Sequence, residues 1–261
     1  MRTIPVTVLI TTANNPPDGM PYLQMKDPVM RTIAAKAALY YWVAQRIGQI
    51  VLADATGTNL LTEHEEAEIA RSGTRLEQIK YEQAAEYVIK NGKGYGEGKL
   101  IEYAIDNSEL LAREEYFFKC TGKAYVRNFP SIAANIKTYS ILNLFWRYVG
   151  DGREMKLWAD CRFYYTSKTF AKNHLLPAYF ESDDSHAACE YYIYEALNRA
   201  MKVGTTVRPL ITGYAGSTCE EYFDSSLGIL DYKFPCWVTQ RSDLLGISNG
   251  HSSTTVRHLI C

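Results

Sequence analysis

The sequence predicts an α/β fold: a mainly parallel, twisted sheet flanked by helices, with a more mixed second half. Three observations predict it. An apolar, β-branched run at 6–12 is followed by an amphipathic stretch from Asp27 and by a second apolar run at 49–54. Strand, helix, strand in that order requires a crossover, and crossovers join parallel strands with right-handed sense. A further apolar run, 116–118, leads into the lysine-flanked turn Lys119-Cys-Thr-Gly-Lys123. Strand ends of this kind open onto a ligand crevice, and the residues there suit an anionic, nucleotide-like molecule.

The elements follow in order. The first strand, about 6–12, is bounded by Asn14-Asn-Pro-Pro-Asp-Gly19, a strong loop signal. Asp27-Pro28 caps a helix of about 18 residues, with Gly48 as its stop. Val29, Ile33, Ala37, Tyr40, Tyr41, Ala44 and Ile47 recur at helical spacing and predict the face that packs on the sheet. The strand 49–54 ends in Asp54. Thr62-Glu-His-Glu65 forms a capping box that opens a short helix. Arg75 to Tyr81 reads as a third strand, and Asn91-Gly-Lys-Gly-Tyr-Gly-Glu-Gly98 as a glycine-dense turn leading into a helix. Strands follow at 116–118, from Ala124, and at 157–165. A helix is expected from His186 to about Met201, then a strand at 207–211, then a loop-rich flap and a closing helix or tail.

Composition narrows the class. The 28 basic and 29 acidic residues give a net charge of −1, so no bulk attraction draws this chain to nucleic acid. Tyrosines outnumber phenylalanines 20 to 9; most suit half-buried core edges, and some suit a polar cleft. Six cysteines occur with no C-x-x-C pair, which argues against a disulfide scaffold and against a thiolate zinc site, and for a cytosolic protein with reduced thiols. The start of the chain has neither the signal-peptide pattern nor a membrane-spanning run. Any membrane association is expected to be peripheral.

Several constellations could carry chemistry. Thr11 and Thr12 end the first strand and Asp54 the second; that carboxylate could hold a ribose or base, or merely cap the next turn. Lys93 in the glycine-dense turn offers a cation ahead of a helix N-terminus, although neither a Walker loop nor a dinucleotide fingerprint is present. Lys119, Thr121, Gly122 and Lys123 place two ammonium groups around a tight turn, suited to a diphosphate; a solvated hairpin is the plain alternative. Asp160 and Arg162 face one side of a strand and could pair with each other or with a ligand. His186 and Glu190 are four apart on a helix face, and either could act as a general base. Gly216 and Ser217 lie in a small-residue loop that could approach a ligand backbone-first.

Taken together, the Val-Leu-Ile-Thr-Thr12 strand, Asp54, the 119–123 turn, Asp160-Cys-Arg162-Phe, Glu190 and the 213–218 loop resemble bacterial polysaccharide glycosyltransferases of the GT-A type over roughly residues 5 to 220. The resemblance implies one domain over 1–261, with a nucleotide-binding half at about 1–128, an acceptor half at about 129–240 and a C-terminal tail at 241–261. It implies a nucleotide-sugar donor near Thr11, Thr12 and Asp54, a base at Glu190 or Asp160, and acceptor contacts through Tyr164, His186, Gly216 and Ser217. The acceptor would be a glycan or glycolipid of lipopolysaccharide, O-antigen or capsule, met at the inner face of the membrane. The family's metal-binding D-x-D is missing, so no metal ligand is assigned. Mg²⁺ or Mn²⁺ then gives way to Lys119, Lys123 and Arg162 as the charge that stabilises the leaving diphosphate.

Two rivals share these residues. An S-adenosylmethionine-dependent methyltransferase also wants an acidic residue ending its second strand, but Thr12-Ala-Asn-Asn-Pro16 is the wrong chemistry for its glycine turn. A non-catalytic nucleotide- or glycan-binding module would need no carboxylate facing the cleft.

Overall fold

Val8, Leu9 and Ile10 are wholly enclosed because β1 (Ile4–Thr12) has a parallel neighbour on each side and helices over each face. The computed structural model describes residues 3–20, 23–136, 141–149, 154–182, 188–199, 209–215, 221–222 and 234–237. From β1 the chain runs through α1 (Pro28–Ala44), β2 (Ile47–Asp54), α2 (Glu63–Arg71), β3 (Arg75–Lys80), α3 (Ala85–Asn107), α4 (Glu109–Ala112) and β4 (Tyr116–Thr121). It continues through β5 (Ala124–Val126), α5 (Phe129–Ala133), β6 (Ile141–Val149) and β7 (Glu154–Ser167). A helical stretch follows, made of α6 (Lys168–Phe170), a π-turn at Ala171–Leu175 and α7 (Leu176–Glu181). The last elements are α8 (Cys189–Arg199), β8 (Ile211–Tyr214), β9 (Glu221–Tyr222) and β10 (Phe234–Trp237).

The main sheet has the order β10-β6-β7-β4-β1-β2-β3. The block β3-β2-β1-β4 is parallel, and β7, β6 and β10 extend it antiparallel. The predicted α/β class with its mixed second half is therefore the architecture found. A small second sheet, β5-β8-β9, lies apart from the first. Helices α3, α7 and α8 cover one face through Leu100, Ile101, Ala104, Tyr179 and Ile193. Helices α1 and α5 cover the other through Leu39, Trp42, Phe129 and Ile132.

Strand β7 is long and irregular. Its residues 163–167 pair with β4, whereas Glu154–Asp160 pair with β6 alone and continue past the carboxyl end of β4. Between Leu142, opposite Tyr164, and Asn143, opposite Asp160, the register jumps, so Cys161, Arg162 and Phe163 bulge out of the β6 ladder.

Several expectations change. Helix α1 buries Arg31, Ala34, Ala35, Ala38, Leu39 and Trp42, while Val29 and Ile33, expected on the sheet, are 64% and 56% exposed. Both stripes have helical spacing. The small residues of the true one permit close approach to the sheet, and a count of large apolar residues selects the other. Gly48 does not stop α1: the helix ends at Ala44, Arg46 takes the left-handed conformation, and Gly48 lies in β2. The glycine-dense 91–98 stretch is helical apart from a break at Gly92 (φ 89°). Its glycines are packing sites: a Cβ on Gly98 would stand 2.4 Å from Tyr179 Cβ, and one on Gly94 2.7 Å from Cys189 Cβ.

These contacts generate a test. Gly98→Ala should destabilise the protein by about 1–3 kcal/mol, because Tyr179 Cβ is tied to its backbone and cannot swing away. Urea unfolding of the two proteins reads the difference; an unchanged midpoint would refute the packing role.

Candidate functional site

The parallel register sets Thr11 beside Thr121 and Thr12 beside Asp54 at the carboxyl edge of the sheet. The turn after β4 closes against β1: the Gly122 amide donates to Thr11 O at 2.7 Å. A Cβ at Gly122 would sit 2.2 Å from Thr12 Cγ2, so only glycine fits this approach. Lys123 is anchored by its own carbonyl, which accepts from the Tyr214 amide at 2.9 Å.

Asp54 is enclosed and fully engaged. One carboxylate oxygen accepts from Thr12 Oγ1 and the Asn14 amide, each at 2.9 Å. The other accepts from the amides and hydroxyls of Thr56 and Thr58. The turn-capping alternative describes this residue: its charge orders the loops after β1 and β2, and no oxygen is left over for a ribose.

Lys119 has no exposed surface. Its Nζ forms an ion pair with Glu97 at 2.6 Å and donates to Cys161 O at 2.7 Å and Thr121 Oγ1 at 3.2 Å. Burial alone would depress this amine, but Glu97 outweighs it and holds Lys119 well above the ordinary lysine range. It is a fixed ammonium beneath the crevice, not one that reaches into it. Glu97 Oε1 also accepts from Thr11 Oγ1 at 2.7 Å. Glu97 thus ties α3 to β1 and β4, and it was missed as a site residue because its glycine-rich setting reads as a turn.

Lys123 is the opposite case. It is buried, yet its amine has no hydrogen-bond or ion-pair partner among the described residues. Burial first, then the nearby Arg31 guanidinium, bring it down to about 7, against the opposing pull of Glu97 and Asp54. Arg31 is the second residue that sequence reasoning passed over. It is buried on the sheet-facing stripe of α1, with Nε donating to Ala13 O at 2.6 Å and Nη1 to Met25 O at 2.9 Å. An arginine among buried alanines was the available signal. Asn14 adds a buried Nδ2 with no partner among the described residues.

The other candidates are placed as follows. Asp160 is enclosed and held by Arg162, whose Nε and Nη2 donate to its two oxygens at 2.8 and 2.6 Å and whose amide donates at 3.0 Å. A carboxylate so engaged is a poor proton acceptor. Tyr164 is fully buried, with Lys119 Nζ 5.6 Å from its ring centre, and has no face for a sugar to cover. Lys93 is half-buried in α3 just past the Gly92 break. Glu190 opens α8, half-buried, its Oε2 3.5 Å from Cys189 Sγ. His186, Gly216 and Ser217 lie outside the described residues. No helix among the described residues is long and apolar enough to cross a membrane.

No protein-family model matches the chain, and no curated protein sequence matches it. Among solved structures, one similar chain is a provisionally assigned glucose-1-phosphate thymidylyltransferase from Bacillus anthracis, in complex with sucrose. The likeness covers 82% of this chain and 90% of that one at 9% identity, with a TM-score of 0.38. At those values it carries no argument about activity.

Removing the Glu97 charge leaves the Lys119 ammonium enclosed and unpaired. Glu97→Gln should cost about 3–5 kcal/mol, the range for a broken buried pair, and adding Lys119→Met should recover most of it. Thermal unfolding of single and double variants checks this; a neutral single variant would refute the pair's role.

Proposed function

We propose that the carboxyl edge of β1, β2 and β4 binds the diphosphate of a nucleotide-sugar, and that the protein transfers the sugar to a hydroxyl of a glycan. The single observation that carries this reading is Lys123: a lysine only 8% exposed, in the turn after β4, with no hydrogen bond or ion pair to a described residue. A group placed so at folding's expense is explained by an anion that supplies what it lacks. The Asn14 side-chain amide adds a buried donor with no partner among the described residues, and the Arg31 guanidinium, held by Ala13 O and Met25 O, adds a fixed positive charge.

In the reaction, the acceptor oxygen forms a bond to the anomeric carbon while the anomeric carbon–phosphate oxygen bond breaks. The departing diphosphate takes the electron pair, and the acceptor proton leaves to a base. Lys123 and Arg31 stabilise the charge that builds on the leaving oxygen, the place where preorganised cations accelerate such steps most. Of the two carboxylates proposed as base from sequence, Asp160 is committed to Arg162, so Glu190 is the one left to take that proton. The bacterial surface glycan as acceptor and a cytoplasmic site of action remain part of this proposal through the sequence resemblance alone. The methyltransferase alternative gains nothing, since Asp54 has no oxygen free for a ribose diol.

The test is thermal stability with a panel of nucleoside mono- and diphosphates and S-adenosylmethionine, each with and without Mn²⁺. A ligand that binds only the folded state raises the melting temperature. A shift from one nucleoside diphosphate without metal is expected; silence from every nucleotide would overturn the reading.

The lowered Lys123 fixes the sign of a pH effect. Without ligand the folded amine loses its proton near 7, so above that pH anion binding must first restore the proton. Diphosphate affinity should fall by up to about tenfold per pH unit above 7, and Lys123→Met should weaken binding and abolish the slope. The same depression makes Lys123 favour unfolding at neutral pH, so its contribution to stability improves as pH rises from 7 toward the unfolded lysine value. Binding isotherms at pH 6.5, 7.5 and 8.5 would show the effect, and a flat profile would refute it.

A further inference from the structure

Cys161 and Cys189 are too far apart in sequence for any metal-binding spacing to announce them. The fold brings them together. Cys161 lies in the β7 bulge, Cys189 and Glu190 open α8, and Gly94 of α3 leaves the room that Cys189 occupies. The two sulfurs are 3.6 Å apart, and Cys189 Sγ is 3.5 Å from Glu190 Oε2. All three donor atoms lie within 4.8 Å of one another.

These separations have a chemical meaning. A tetrahedral Zn²⁺ at ~2.3 Å from sulfur and ~2.1 Å from oxygen sets its S···S edges at about 3.8 Å and its S···O edges at about 3.6 Å. The S···S edge of 3.6 Å and the Cys189-to-Glu190 edge of 3.5 Å lie close to these values, and the Cys161-to-Glu190 edge is within 4.8 Å. Two sulfurs in ordinary core contact need no carboxylate beside them, and a disulfide would need the sulfurs to close to ~2.05 Å.

We propose that Cys161, Cys189 and Glu190 form a site for a borderline-soft divalent ion, Zn²⁺ by its donor set, with the fourth position left to water. Two thiolates and a carboxylate select such an ion over Mg²⁺ or Ca²⁺. Both cysteines are buried and Glu190 is half-buried, so the ion enters from the carboxylate side. Binding the ion through two thiolates releases the two thiol protons, and Lys119 Nζ donates to the Cys161 carbonyl at 2.7 Å. A bound ion would compete with proton abstraction by Glu190; the site touches the strand-end lysine through Cys161 but does not rest on the transferase reading.

Co²⁺ titration of the reduced, chelator-treated full chain tests the site. Expected are one Co²⁺ per chain, tetrahedral d–d bands, and a sulfur-to-metal charge-transfer band that Zn²⁺ abolishes by displacement. Cys161→Ser and Cys189→Ser should each weaken the charge-transfer band. Glu190→Gln, at the half-exposed ligand and least able to disturb folding, should keep it while weakening affinity by at least about tenfold. Absence of stoichiometric binding to the wild-type chain, or a band unchanged in the cysteine variants, would overturn the proposal. So would spontaneous oxidation of the pair to a disulfide, read as a mass two hydrogens lower that blocks Co²⁺ uptake. Nucleotide binding is scored separately in the metal-free protein, so failure of one reading leaves the other intact.

Discussion

A charged amine with no exposure has to be answered by a charge, and in this protein Glu97 answers Lys119. Much else follows from that pairing. To reach Lys119, Glu97 must come in on a helix lying close to the sheet, and Gly94 and Gly98 of that helix let Cys189 and Tyr179 of the neighbouring helices pack against it. The same carboxylate takes a hydrogen bond from Thr11, so one ion pair fixes α3, β1 and β4 relative to one another. Replacing the pair with well-packed apolar residues could equal it in stability, but would remove the hydrogen bonds that Lys119 makes to Cys161 O and Thr121 and that Glu97 accepts from Thr11.

Around this centre the carboxyl edge of the sheet divides its polar groups by task. Asp54 is saturated and orders two loops; Asp160 and Arg162 satisfy each other within a bulge. Asn14 is left with a buried Nδ2 that no described residue uses, and Lys123, 8% exposed, makes no hydrogen bond or ion pair to a described residue. Buried polar groups in folded proteins are almost always paired, so an unpaired set at a strand-end crevice is a physical asymmetry, not a decoration.

The sequence made the parallel block readable, since β1, β2 and β4 are apolar runs ended by polar turns, and period and punctuation are local signals. It also placed the 119–123 turn and the Asp160–Arg162 pair. Where it failed, the deciding information was not local. The buried stripe of α1 is made of alanines, an arginine and a tryptophan, so hydrophobic weight pointed to the wrong face. The 91–98 glycines looked like a turn because their reason, the side chains of Tyr179 and Cys189, lies 80 to 95 residues away in sequence. Lys119 and Lys123 read alike in sequence, as two cations for one diphosphate. Both are lysines flanking one turn, and only burial and partners tell the committed one from the open one.

The excess length of β7 has a consequence of its own. Residues 154–160 and their β6 partners run on beyond the parallel strands for roughly 20 Å at about 3.3 Å per residue, as a ribbon rising along one side of the crevice. A ribbon of that kind can lengthen or shorten at its tip without shifting the register of any strand beneath it. The parallel strands and the height of the ribbon beside them are therefore free to change independently, while the ionic foundation stays as it is.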